Sequence, residues 1–129
     1  PNACNLCHLD RSRAWAAAEL ERLWGAGALG VDPRDATPAS ARGLLAADAA
    51  ERVIWADAFG DPAAAATSGS DWEAPVLGAA TRDPYAVIRF IAARSLRRYP
   101  ARATRTLLSG EALDALVRSR DNREVHVAE

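Results

Sequence analysis

Cys4, Cys7 and His8 stand in the run Cys-Asn-Leu-Cys-His, which holds both cysteines of the 129-residue chain and one of its two histidines. Two thiols separated by two residues can reach the two vinyl groups on one edge of a haem and form thioethers, while the next residue swings an imidazole onto the iron. The spacing reads as a c-type haem attachment site: Cys4, Cys7 and His8 bind one covalent haem c, with His8 as the proximal iron ligand. The same residues also suit a disulfide, a redox dithiol or half of a zinc site. A structural zinc site takes four ligands, and the only remaining cysteine or histidine is His126. A thioredoxin-type dithiol belongs in a βαβ pattern, whereas no convincing strand is visible in the chain.

Haem chemistry carries a compartment with it. Covalent attachment takes place on the outer side of an energy-transducing membrane, so the expected location is periplasmic or extracellular. No signal peptide precedes the motif, and no apolar run reaches the roughly 18 residues of a membrane span. Only three residues precede Cys4, and Pro1 is a poor residue to follow a signal-peptidase site. A piece of a longer chain is expected, its preceding part placed to cover the exposed haem face.

Composition narrows the fold. One domain's worth of chain is half hydrophobic but only 6% aromatic, with alanine the largest contributor. Alanine is the best helix former and lets helices approach closely, so an all-α protein is expected. All 16 basic residues are arginine; lysine, methionine and glutamine are absent. Without methionine, the His/Met ligation that raises haem potential cannot come from these residues. A net charge of −1 and a pI near 6.2 argue against a nucleic-acid or anionic-membrane surface.

Helix punctuation sets out the elements that must position the motif. Asp10 is the expected N-cap of a helix over Arg11–Trp24, stopped by Gly25, with Ala16, Leu20, Leu23 and Trp24 on one stripe. Trp15, Leu20 and Trp24 are candidate walls for a porphyrin, although packing against the following helices accounts for each equally well; Arg11 and Arg13 are candidate propionate partners, although exposed arginines in a first helical turn are commonly just solvated. Residues 25–36 form a Gly/Pro/Asp connector. Thr37-Pro38 then reads as N-cap and first helical residue, opening two short helices that end at Phe59, with Asp48 capping the second. Residues 63–69 read as a small-residue linker. Ser70 or Asp71 begins the next helix, with Pro75 in its first turn. Helical spacing of Val87, Ile88, Ile91, Ala92 and Leu96 places another helix over Tyr85–Arg98, and a last one is expected over Glu111–Arg120, followed by a polar tail.

Paired short helices with tight turns are the plan of helical-repeat proteins. The segment Trp72–Leu96, WEAPVLGAATRDPYAVIRFIAARSL, resembles a HEAT-type repeat, with Asp83-Pro84 at the turn. Together with the opening PNACNLCHLDRSRAWAAAELERLWG, most of the chain resembles the C-terminal module of multihaem c-type cytochromes, in which a last CNLCHLD haem site runs into HEAT-like helices. That resemblance implies a haem-attachment segment over residues 1–25, a HEAT-like helical repeat (α-solenoid) region over 26–129, and further haem motifs and ligands upstream of Pro1. It gives Asp83 and Arg89 structural ladder contacts and no catalytic role.

His126, more than a hundred residues from His8 in a polar tail, is the one candidate distal ligand within the chain. A histidine from the upstream part or from a partner chain ranks above it, and an open sixth position is the remaining option. The leading function is electron transfer by the terminal haem of a multihaem cytochrome, with other haem-bearing segments, cytochrome subunits and a redox protein as partners. A second reading makes the repeats a docking or assembly module of a larger cytochrome complex. Haem enzymology, which needs a vacant iron site and polar distal groups, finds no lysine, no clustered second histidine and no acid-base pair near the motif.

Overall fold

The computed structural model describes residues 1–27 and 29–127, with side chains as far as Glu124. It is all-α: eight helices and no strand among the described residues. Helix α1 (Ala3–Cys7) is the motif itself, and α2 (Arg13–Trp24) leaves it for the connector. Helices α3 (Ala39–Ala46) and α4 (Ala49–Ala58) form one hairpin and α6 (Ala74–Ala80) and α7 (Ala86–Leu96) a second. The hairpins stack with α3 beside α6 and α4 beside α7. Helix α5 (Pro62–Ser68) links them and carries α1, while α8 (Gly110–Val127) returns to lie along α3.

Caps decide most of these boundaries. Asp48 accepts a hydrogen bond from the Glu51 N–H at 2.9 Å, so the chain breaks into two helices where expected and α4 starts at Ala49. Gly25, at φ 59°, ends α2 in the left-handed conformation that glycine adopts without strain. Pro75 sits in the first turn of α6, where its missing N–H has no helical partner to lose.

Several expected boundaries are corrected. The N-cap of α2 is Ser12, whose hydroxyl accepts from the Trp15 N–H at 3.1 Å. Asp10 precedes it in a turn closed by Arg11 N–H to the His8 carbonyl and is drawn into an ion pair with Arg105 at 3.6 Å. Pro38, not Thr37, caps α3, because an isolated bridge to Ser12 holds it extended and the Ala39 N–H donates to the Arg11 carbonyl. The 63–69 linker is a helix: Asp61 caps it through the Ala63 N–H at 2.8 Å, Pro62 occupies its first turn, and the alanine run propagates it. Helix α6 begins only at Ala74, since the Asp71 carbonyl is occupied by the N–H groups of Thr104 and Arg105. Helix α8 runs on to Val127 through the expected tail.

One core joins these elements. Leu9, Leu44, Leu45, Trp55, Phe59, Leu77 and Ile88 are buried in a single cluster that spans the motif segment and both hairpins. Trp55 packs directly against Gly43, where an added Cβ would collide with the indole. A buried ionic cluster ties α8 to the hairpins: Arg52, 1% exposed, pairs with the fully buried Asp83 at 3.0 Å and with Glu124 at 2.7 Å. Arg120 reaches the same Asp83 at 3.4 Å. Arg89 donates to the backbone carbonyls of Asp83 and Pro84 at 2.8 and 2.7 Å, so both residues make structural contacts, though not through their side chains to each other.

Candidate functional site

Positions i, i+3 and i+4 share one face of a helix, so forming α1 gathers Cys4, Cys7 and His8 on one side of it. Asn2 starts the turn by accepting from the Asn5 N–H at 2.9 Å, and the His8 N–H closes it on the Cys4 carbonyl at 2.8 Å. The opposite face is the anchor. Asn5 and, just beyond the helix, Leu9 are fully buried, with Leu6 half-buried. The Asn5 amide donates to the Arg11 and Ser12 carbonyls at 3.1 and 3.4 Å and accepts from Asn2 at 2.8 Å, which folds the chain back from α1 into α2.

A second clamp comes from far along the chain. The Ser68 hydroxyl accepts from the Leu9 N–H at 2.8 Å and donates to the Cys7 carbonyl at 3.0 Å. Ser40 donates to the Leu9 carbonyl. Arg105 in turn donates to the Ser68 carbonyl at 2.6 Å and pairs with Asp10 and Asp71. The backbone of the motif is thus fixed from the core side while its three reactive side chains face outward.

They face a hollow of about 420 Å3. Ala3, Cys4, Cys7 and His8 of the motif segment form one wall, and Trp15, Glu19, Leu23 and Trp24 of α2 form the other. Both cysteines are free thiols, Cys4 half-buried and Cys7 exposed. The His8 ring lies against Trp15, with centroids 4.8 Å apart and planes tilted by 54°. Leu23 and Trp24 are large apolar side chains left open to solvent, Trp24 at 70% exposure.

Of the expected wall residues, Trp15 and Trp24 line the hollow and Leu20 does not. The expected stripe on α2 splits, because Ala16 turns to the core while Leu23 and Trp24 turn outward. Arg11 stays near the site, its guanidinium 5.7 Å from the Trp15 ring centre. Arg13 is elsewhere, lining a cleft beside α3 and α8. Glu19, which sequence reasoning passed over, is held in the wall by Arg22 at 2.6 Å; its spacing of four from both Trp15 and Leu23 was the available signal. The side chain of His126 lies outside the described residues. Among the described residues, no three His, Cys, Asp or Glu side chains are grouped closely enough to hold a metal ion between them. No helix among the described residues is long and apolar enough to cross a membrane.

Comparison with known proteins adds no family: no protein-family profile, curated protein or solved structure matches the chain.

Proposed function

We propose that the chain is a c-type cytochrome segment that binds one covalent haem c through Cys4, Cys7 and His8 and serves in electron transfer. The observation that carries this reading is that the two free thiols and the imidazole share one helix face and open together onto one hollow with an exposed apolar wall. The residues fit the group in three respects. Both thiols stand on the open side of α1, where they are accessible to attachment. Leu23 and Trp24 present apolar surface that a porphyrin would remove from water. His8 is braced by Trp15, and its backbone by Ser68 and Asn5 through the residues beside it.

When bound, haem supplies a one-electron Fe(III)/Fe(II) couple whose potential depends on axial ligation and burial. The chain's own part is to tether, orient and partly shield it. Arg11, whose guanidinium lies 5.7 Å from the Trp15 ring centre, is the arginine placed to offer charge to a propionate; Arg13 lines a different cleft. The location proposed is periplasmic or extracellular, and the partners are other haem-bearing segments, cytochrome subunits or a redox protein. His126 remains the lesser candidate for the distal ligand, below a histidine supplied from outside this chain.

A second reading is favoured by the stacked hairpins, whose arrangement of α3 beside α6 and α4 beside α7 suits HEAT-like repeats. The exposed Tyr85, Val87 and Phe90 on the second hairpin would then make it a docking or assembly module of a larger cytochrome complex. Absorption spectra of the holoprotein test the leading function. A low-spin spectrum unmoved by carbon monoxide or cyanide is expected of an electron carrier, whereas a high-spin haem that takes up either ligand would replace that reading with an enzymatic one.

A further inference from the structure

The cleft that receives Arg13 is distinct from the thiol hollow and has its own chemistry. It lies between α3 and α8 and measures about 620 Å3, within the range of small-molecule sites, roughly 300–1,000 Å3. Besides Arg42, the α3 positions lining it are small, Ala39, Gly43 and Ala46, and Gly43 is held to glycine by the Trp55 indole against it. Three arginines line it from three separate helices: Arg13 in the first turn of α2, Arg42 on α3 and Arg123 on α8.

Neutralisation is incomplete. The only acidic residue in the lining is Glu51, and the Pro1 amino group, also in the lining, pairs with it at 3.5 Å, so the three arginines are not neutralised within the wall, in a chain whose overall charge is −1. Glu51 is further occupied, accepting from the Trp55 indole N–H at 3.0 Å. Arg42 is the one arginine with a carboxylate of its own, Asp35 at 3.1 Å. Among the described residues the ion pairs of the molecule involve neither Arg13 nor Arg123. Guanidinium groups present planar forks of N–H donors that match phosphate and carboxylate oxygens two at a time. Spread over three helices, they match a ligand with more than one anionic group better than a single monovalent ion.

We propose that this cleft binds a small soluble anion carrying two or more phosphate or carboxylate groups, held by Arg13, Arg42 and Arg123. The site is independent of the haem reading, since none of the three arginines lines the thiol hollow. Its binding should weaken as salt is raised, as expected for exposed charges.

Calorimetric titration of the 129-residue chain with pyrophosphate and, separately, with citrate tests the proposal and decides between phosphoryl and carboxylate ligands. Saturable binding of at least one is expected, weakened by about tenfold or more in the Arg13→Gln/Arg123→Gln variant through loss of charge-assisted hydrogen bonds. Arg94→Gln, which removes an arginine paired with Asp57 on another face, should bind as the parent does. Arg123→Gln alone, on the exposed side of the last helix, checks the result with the α2 terminus intact and should weaken binding several-fold. Absence of saturable binding to both anions up to about 10 mM would overturn it. So would unchanged binding in the folded double variant.

Discussion

Asn5 sits between the two cysteines at a position that the attachment motif leaves open, yet it is the residue that pins the motif to the protein. Its buried amide serves the Arg11 and Ser12 carbonyls and Asn2 at once, so Asn5→Ala strands buried polar groups. A loss of about 1–3 kcal/mol is expected, read from urea unfolding, with a thiol face less well fixed on the core. Cys4, Cys7 and His8 were singled out in the sequence by their C-x-x-C-H spacing alone; that α1 gathers them on one helix face was not, since the first expected helix began only at Arg11. Asn5 was not, because its partners are loop carbonyls six and seven residues on, and Ser40 and Ser68 were not, because each acts on a backbone group across the fold; Ser68 lies 61 residues from the carbonyl it binds. No local pattern marks such a partner.

At the scale of elements, the caps written in Asp48, Asp61 and Gly25 fix helix ends that local chemistry alone can explain. Asp48→Ala removes the acceptor for the Glu51 N–H and should lower stability by about 1 kcal/mol, with no change in the spectrum of a bound haem; denaturant midpoints of the two proteins check this. The elements that escaped the sequence were decided by competition. Asp10 is a good capping residue, but Arg105 from beyond α7 claims it and Ser12 caps α2 instead. The alanine run of α5 looks like a linker by composition, yet it has a cap, a first-turn proline and a terminal glycine at φ 83°, and it buries Ala64 and Ser68. Val87 keeps helical spacing with Ile88 and Ile91 but falls on the outer side of α7 and is half exposed, because periodicity locates a stripe only to within a residue or so.

For the whole molecule, the all-α architecture followed from alanine content and helix punctuation, whereas the packing that holds α8 on the hairpins depends on a buried cluster invisible in sequence. A second buried charge site gives the molecule a pH dependence. Burial in the core pushes the Glu73 carboxyl above its ordinary value of 4.5, against the lowering effect of the Trp72 N–H at 3.0 Å. Above 4.5 the unfolded chain releases this proton before the native one does, so stability should fall as pH rises through that window to the folded value. Glu73→Gln should remove this part of the slope, and urea unfolding of both proteins across the window measures it; equal slopes would contradict the assignment. The central claim concerns the thiol face, and the most direct measurement is the mass of the chain after production in a host with an active c-type maturation system, taken under denaturing conditions. The expected result is the chain plus one haem, with the added mass lost in the Cys4→Ala/Cys7→Ala variant; the mass of the bare chain in the parent, or haem retained by the variant, would contradict it.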